Sequence, residues 1–238
     1  MPVTFIGDVH GWKRRLARVV EQSEGRLVFM GDLVDRGPEA PAVLDKVHAL
    51  CTSGRAACLL GNHEWMLVRS LGRDDAEPDL NAFAAWLDGW GGDAVISAYR
   101  VSDAAALKRA LRPHWAWLCS LPWMLEGSEE GRPWIAVHAG LDPRRPTRAQ
   151  LDELRLGWDG PWTDGPEPRP GPLFRKHDVS SVPADFPAGT VLVSGHTPRA
   201  EALATPRRIL CDTTGGLPGR RLSGVVWPSL RVLAGEDG

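Results

Sequence analysis

The stretch VTFIGDVHG at positions 3–11 joins an apolar run to a cluster of polar residues and glycines. Its first four residues have the length and composition of a buried β-strand. The run LVFM at 27–30 leads in the same way into GDLVDRG at 31–37. Both stretches therefore predict a strand that ends in aspartate beside glycine, a residue that permits a tight turn.

Further apolar runs at 56–60, 134–137 and 191–193 share this strand-like character. Segments with helical spacing of apolar residues separate the first three runs of the chain. The β-α-β-α-β order predicts an α/β fold with a largely parallel sheet. Near the C-terminus, runs at 208–211, 224–227 and 230–233 predict an antiparallel meander, so the fold contains a mixed sheet or a pair of packed sheets.

Two segments differ from this pattern. Residues 74–123 are rich in Ala, Leu and Trp with helical spacing, which predicts an inserted helical cap. Residues 159–172 are dominated by Pro, Gly and charge, which predicts a long exposed loop. The length of 238 residues and the 43% hydrophobic content predict a single domain over 1–238 that carries both insertions.

Composition restricts the partners of the chain. The 28 Lys and Arg residues against 30 Asp and Glu residues give a formal charge of −2, which argues against nucleic-acid binding through a basic surface. The sequence has neither a signal-peptide pattern nor an apolar run of membrane-spanning length, so we expect a cytoplasmic protein without a membrane partner. The four cysteines form no C-x-x-C pair and are interpreted as reduced thiols of the core.

Potential metal ligands follow each of the five predicted strands. The blocks are GDVHG at 7–11, GDLVDRG at 31–37, GNHE at 61–64, HAG at 138–140 and GHT at 195–197. Ligands of α/β sheets gather outside the carboxyl ends of parallel strands, so these distant blocks are expected to converge. Oxygen and imidazole donors without thiolate favour Mn²⁺, Fe or Zn²⁺, and six such residues suit two ions about 3.5–4 Å apart that act on a phosphoryl group.

These five blocks, in this order, resemble the signatures of the PPP (serine/threonine-type) metallophosphatases of the calcineurin-like phosphoesterase superfamily. The resemblance covers residues 5 to about 216 and implies a metallophosphatase fold, with mixed β-sheets packed as a central sandwich, flanking helices and a helical cap. Each block alone is a weak signal, because Asp-x-His often caps a turn and a strand-ending histidine is often a core residue. Five blocks in order make a much stronger one.

The resemblance also implies the site residues. It places a first divalent ion on Asp8 and His10, a bridging carboxylate at Asp32, and a second ion on Asn62, His138 and His196. Manganese is the expected metal, with Fe or Zn²⁺ as alternatives. The attacking group is then a hydroxide bound to the two ions, and no phosphoenzyme forms.

The remaining catalytic roles follow from the same resemblance. His63 is expected to be the general acid, oriented and kept charged by Asp35. Phosphate is expected to be held by Arg36, Asn62 and a further arginine. For that arginine, Arg175 is favoured over Arg155, because it follows the apolar pair Leu-Phe at 173–174.

Three functions remain open from the sequence. The first is hydrolysis of phosphate monoesters, either phosphoserine and phosphothreonine in a protein or a small phosphoester. The second is hydrolysis of dinucleoside polyphosphates, since the symmetrical enzymes of that kind resemble the chain through the same blocks. Those enzymes carry Ala where this chain has Asp35 and Asp where it has Glu64, which favours the phosphatase. An inactive metal-binding scaffold is disfavoured by the intact pair of His63 and Asp35.

Overall fold

Two five-stranded β-sheets form the centre of the computed structural model, which describes residues 1–74, 76–157, 171–176 and 179–236. The strands in chain order are β1 (Val3–Ile6), β2 (Arg26–Phe29), β3 (Ala56–Cys58), β4 (Met124–Glu129), β5 (Arg132–Val137), β6 (Val191–Ser194), β7 (Leu203–Ala204), β8 (Arg208–Leu210), β9 (Leu222–Trp227) and β10 (Arg231–Gly235). The helices are α1 (Lys13–Gln22), α2 (Ala40–Thr52), α3 (Asn62–Leu71), α4 (Leu80–Trp90), α5 (Asp93–Tyr99), α6 (Ala104–Ala110), α7 (Arg112–Cys119), α8 (Thr147–Leu156) and α9 (Gly171–Phe174).

Both sheets are mixed. The first has the order β10-β9-β1-β2-β3, in which β1, β2 and β3 are parallel and the β9–β10 hairpin is antiparallel to β1. The second has the order β4-β5-β6-β8-β7, with β5, β6 and β8 parallel and an antiparallel strand at each edge. The five strands predicted to precede the metal ligands are all present and their parallel arrangement is confirmed.

The two sheets pack face to face as a sandwich. Alternate residues of β1 and β5 point into it, and the rings of Phe5 and Trp134 meet edge to face with centroids 5.3 Å apart. The outer face of the first sheet, which includes Ile6 and Phe29, packs on α1 and α2. The outer face of the second sheet packs on α8 through Leu192. The predicted α/β sandwich with flanking helices is confirmed.

The C-terminal meander was predicted wrongly. Of the three strands predicted for the meander, β9 and β10 form an antiparallel hairpin. The remaining strand, β8, belongs to the second sheet and is parallel to β6. The connection 211–221 is long enough to cross between sheets, and Ile209 is buried in the sandwich. The sequence also gave no sign of β4, because its residues alternate in burial and are only half apolar.

The predicted cap region, residues 74–123, contains α4, α5, α6 and α7. Phe83 and Trp86 of α4 are buried and face the main core, which explains the helical spacing of these aromatics. Most of the predicted loop at 159–172 lies outside the described residues, as does His177. The last two residues of that loop belong to α9. The four cysteines are free thiols. No helix among the described residues has both the length and the apolar character of a membrane span.

Candidate metal centre and active site

The predicted ligands lie together at the carboxyl ends of the strands. Asp8 and His10 follow β1, Asp32 follows β2, Asn62 opens α3 after β3, His138 follows β5 and His196 follows β6. Asp32 and His196 have φ angles of 53° and 63°, a conformation that costs energy for residues other than glycine. Buried polar residues in strained backbone are a feature of functional sites, and here they converge from both sheets.

Two groups of buried side chains have the spacing to hold metal ions. His10, Asp32 and His63 form the first group, and Asp32, His138 and His196 form the second. In each group the potential ligand atoms lie within 4.8 Å of one another. Asp32 belongs to both, with one carboxylate oxygen 3.7 Å from His10 Nε2 and the other 3.4 Å from His138 Nε2. This is the position expected of a bridging carboxylate.

The second group concentrates hydrogen-bond acceptors. His138 Nδ1 lies 2.6 Å from the carbonyl oxygen of Met30, so that nitrogen carries a proton. The opposite nitrogen, Nε2, lies 2.8 Å from Asn62 Oδ1, which in turn is 2.7 Å from His196 Nδ1. Burial opposes protonation of His138, but the charge of Asp32 raises its pKa overall. The contacts of Nε2 therefore require positive charge, which either a proton or a metal ion supplies.

Asp8 has a different environment from the one predicted. Its side chain accepts the backbone N–H of His196 at 2.9 Å, and it belongs to neither of the two groups. Its other oxygen is buried with no hydrogen-bond partner among the described residues, and so is His196 Nε2. Burial, followed by the charges of Asp212 and Asp32, raises the pKa of Asp8 well above its usual value. A cation would satisfy these orphaned atoms and offset the repulsion between carboxylates.

Two divalent cations therefore fit this set of residues. The donors are carboxylate, amide and imidazole groups without thiolate, which suits the borderline transition metals named above. His10 Nδ1 bonds to the carbonyl oxygen of Val34 at 2.9 Å, which leaves its Nε2 as an acceptor toward the site. Fixing one imidazole nitrogen by a carbonyl so that the other faces a metal is the usual arrangement of histidine ligands.

His63 contacts Asp35 directly, and Trp86 supports this contact by donating to Asp35. His63 Nδ1 lies 2.6 Å from Asp35 Oδ2, and Trp86 Nε1 donates to the same carboxylate at 3.0 and 3.1 Å. All three side chains are buried. Asp35 thus has the orienting contact that was predicted, and the cap supplies a second donor through Trp86.

The pKa of His63 bears on its predicted role as an acid. Burial lowers the pKa of His63 to about 4, and the positive charge of Arg36 acts in the same direction, while Asp32 opposes it. Burial also raises the pKa of Asp35 well above its usual value, so this carboxylate is a weaker source of stabilisation for an imidazolium than the sequence suggested. The ring is neutral near pH 7 in this arrangement.

Arg36 lies at the edge of the centre. Its guanidinium lies 3.2 Å from His10 Nε2 and 3.0 Å from His63 Nε2, and donates to the carbonyl of Gly215 at 2.8 Å. A Cβ atom at Gly91 or Gly216 would lie 2.8 or 2.3 Å from the aliphatic carbons of Arg36, so the two glycines form a slot for this side chain. The slot places two guanidinium nitrogens beside His10 and His63 while leaving the residue accessible to solvent.

The structure separates the two candidates for the second arginine. Arg175 is only 11% exposed and forms a two-pronged ion pair with Asp142, with N–O distances of 3.1 and 3.2 Å. The preceding Phe174 has its ring 6.5 Å from that of His196. Arg155 is half exposed and pairs with carboxylates of the outer surface. Of the two arginines, Arg175 is the one whose neighbour in sequence packs near a residue of the centre, and Asp142 fixes its side chain.

Two supporting residues were underestimated from the sequence. Glu64 accepts the backbone N–H groups of Asp32 and Leu33 at 2.7 Å and those of Val34 and Gly61 at 3.2 Å, so it joins the loops after β2 and β3. Its place beside His63 was the only sign of this role. Trp86 is one of the tryptophans of the predicted cap, and no sequence signal linked its indole to Asp35.

The segment 212–216, which follows β8, also contacts the centre. Asp212 accepts the backbone N–H groups of Thr214 and Gly215 at 3.0 and 2.9 Å. The Thr214 hydroxyl donates to the carbonyl of Asp8 at 2.8 Å. The segment therefore supports the loop after β1.

The fold and these paired clusters define a metal-dependent phosphoesterase. The family model of the calcineurin-like phosphoesterases matches residues 1–200, so the chain belongs to that family. The narrower assignment to the serine/threonine type is not supported by the named relatives described next.

Several similar curated proteins share one name. A symmetrical bis(5'-nucleosyl)-tetraphosphatase of Edwardsiella ictaluri is 27% identical over 263 residues, which cover 95% of this chain and 93% of that protein. Its namesake from Ralstonia nicotianae is 31% identical, over 66% of this chain and 64% of the relative, slightly less than two thirds of its length. A solved structure of a candidate diadenosine tetraphosphatase matches the whole chain and 95% of its own, with a TM-score of 0.58 and 23% identity, which supports the fold.

Proposed function

We propose that the chain hydrolyses dinucleoside tetraphosphates symmetrically, into two nucleoside diphosphates. The observation that carries this proposal is the end-to-end similarity to the Edwardsiella ictaluri tetraphosphatase, over 95% of this chain. The paired clusters around Asp32 supply the phosphoesterase chemistry in either case. The proposal replaces hydrolysis of phosphoserine and phosphothreonine as the leading function.

The sequence argument for a protein phosphatase loses weight in the structure. It depended on Asp35 and Glu64, where the tetraphosphatases were expected to carry other residues. The Glu64 carboxylate accepts hydrogen bonds from four backbone N–H groups and is fully buried, so it does not face a substrate. Asp35 is buried beneath His63 and acts on substrate only through that ring. Neither residue distinguishes the two substrate classes by contact.

The residues of the centre have complementary tasks in this reaction. Metal ions held by Asp32, Asn62 and the histidines would activate water and neutralise phosphoryl charge, and we propose manganese among the ions that suit these donors. Arg36 is placed to donate to phosphate oxygens with its planar fork, and Arg175 is held next to the site by Asp142. The water oxygen bonds to one inner phosphorus and loses its proton to solvent, the bond between that phosphorus and the bridging oxygen breaks, and the bridging oxygen leaves on the other nucleoside diphosphate.

The departing group sets the need for an acid. A nucleoside diphosphate leaves as a phosphate whose conjugate acid has a pKa of about 6, by analogy with phosphate monoesters. An alkoxide leaving group is far more basic, comparable to hydroxide leaving as water's conjugate base. His63, neutral near pH 7 and with Nε2 turned to Arg36, suits a reaction that makes little demand on proton donation. This agrees better with phosphoanhydride hydrolysis than with dephosphorylation of serine.

Phosphate monoester hydrolysis remains the second candidate, because the contact of 2.6 Å between His63 and Asp35 is the arrangement expected of an oriented acid. One experiment separates the two. The protein is incubated with Mn²⁺ and, in parallel, diadenosine tetraphosphate, a phosphoserine peptide and p-nitrophenyl phosphate, with and without chelator. Products are resolved by chromatography.

We expect kcat/KM to be highest for the tetraphosphate, with ADP as sole nucleotide product and with activity lost on chelation. Formation of AMP and ATP in equal amounts would contradict the symmetrical mode. A higher kcat/KM for the phosphopeptide would return the protein to the phosphatase class, and metal-independent turnover would refute the role of the paired clusters.

A further inference from the structure

Arg36 lines a second space besides the metal centre. A cleft of about 480 Å³ lies between the Arg36 loop, including Pro38, and the outer face of α5. Its volume is in the range of sites for small organic ligands. The loop and the cap are joined here, since the Arg36 backbone N–H donates to the carbonyl of Gly91 at 2.9 Å. Arg36 therefore belongs both to the contacts of the metal centre and to the lining of this cleft.

The α5 wall of the cleft has small side chains. Ala94, Ser97 and Ala98 line the cleft, and their spacing of three and four residues places them on one helical face. The opposite face of α5 carries the buried Val95. The small residues leave space that larger side chains would occupy.

The charged groups of the cleft match two parts of a nucleotide. Arg36 and Arg100 provide two guanidinium groups, which suit phosphate oxygens. Asp93 lies in the same lining, and a carboxylate repels phosphate but accepts hydrogen bonds from ribose hydroxyls. Two cations and one carboxylate therefore favour a phosphorylated sugar over a bare polyphosphate.

We propose that this cleft binds the nucleoside diphosphate half of the substrate that departs on hydrolysis, with Arg36 and Arg100 on its phosphates and Asp93 on a ribose hydroxyl. The inference rests on the proposed function for the identity of the substrate. It assigns to α5 and Arg100 the recognition of the nucleotide, while the metal centre recognises the phosphoryl group that reacts.

Binding of ADP tests the cleft without turnover. Calorimetric titrations with ADP, and separately with pyrophosphate, are made on the Mn²⁺-loaded protein and three variants: Arg100→Gln, Asp93→Asn and Ser97→Phe. Arg109→Gln is the matched control, because it removes the same charge from an exposed position on the neighbouring helix α6. Thermal unfolding and metal content confirm that each variant is folded and loaded.

The variants are expected to weaken ADP binding in distinct ways. Arg100→Gln should raise the Kd of both ADP and pyrophosphate by about tenfold, the scale of one lost charge-assisted hydrogen bond. Asp93→Asn should raise the Kd of ADP but not that of pyrophosphate, which has no ribose hydroxyl to donate and loses only a repulsive neighbour. Ser97→Phe should weaken ADP binding by filling the cleft. Values for Arg100→Gln and Ser97→Phe within twofold of the control would overturn the inference.

Turnover separates this inference from the proposed function. If the wild type cleaves diadenosine tetraphosphate but the cleft variants bind ADP like the control, the function stands and the cleft assignment fails. If the wild type does not cleave the tetraphosphate while Arg100→Gln and Asp93→Asn still weaken ADP binding, the proposed function fails and the cleft is confirmed as a nucleotide site.

Discussion

The bond between Trp86 and Asp35 allows a paired test of how the cap supports the catalytic histidine. Trp86→Phe removes an indole N–H that donates to a buried carboxylate at 3.0 and 3.1 Å. Trp134→Phe is the matched control, because Trp134 is also buried but its indole N–H has no partner among the described residues. Both substitutions remove similar ring area from a packed core, so their difference isolates the hydrogen bond.

The expected magnitude follows from the charge of the acceptor. A hydrogen bond to a charged group contributes about 1.5–3 kcal/mol, and a buried acceptor that loses its donor retains a desolvation cost. Asp35 keeps the contact with His63, so we expect Trp86→Phe to lower the free energy of unfolding by about 2 kcal/mol more than Trp134→Phe. For a chain of this size, that corresponds to about 4–8 °C in Tm.

Urea denaturation measures the difference, with metal concentration fixed because bound metal raises apparent stability. Unchanged m values are required for the comparison. The kcat of the same preparations is also measured. It should fall in Trp86→Phe, because the His63 ring loses part of its support, and should stay unchanged in Trp134→Phe. Equal losses of stability in the two variants would refute the reasoning, since the bond to Asp35 would then contribute nothing beyond ring packing.

Four other outcomes follow from the centre. His63→Asn should lower kcat on an alkyl phosphate by about 10²–10⁴, the range for a general acid, but on diadenosine tetraphosphate by less than tenfold; equal losses on both substrates would show that proton donation is not its task. Asp32→Asn should reduce metal content measured by elemental analysis, because its two oxygens serve both clusters, and full occupancy would remove Asp32 as the bridging ligand. Chelation should lower the Tm of the wild type and barely change that of Asp32→Asn, because orphaned acceptors are buried in the metal-free wild type; an identical shift in both would contradict this. Arg175→Ala should weaken inhibition by free phosphate about tenfold while Arg155→Ala leaves it unchanged, and the opposite result would exchange the two assignments.

The pattern of amino acids was sufficient to predict where the site lies in the fold. Apolar runs of strand length, each followed by glycine and a polar ligand, predicted five strands and the edge at which their ligands meet. This worked because the carboxyl ends of parallel strands share one edge whatever the intervening chain does. The positions of His10, Asp32, Asn62, His138 and His196 could be predicted from that rule.

Tertiary structure alone decided the features that depend on distant contacts. β8 joins the second sheet rather than a C-terminal meander, because pairing is selected by burial of Ile209 and not by proximity in sequence. Trp86 reaches Asp35 across 51 residues, and no local pattern encodes that bond.

The charges of the centre are likewise a property of the folded chain. His63 was expected to carry a proton because Asp35 lies beside it, but burial lowers the pKa of His63, Arg36 acts in the same direction, and the opposing charge of Asp32 does not cancel them. Sequence supplies the types of ionisable group and their order. Desolvation and the distances between charges, which set their pKa values, exist only after the two sheets and the cap have packed around them.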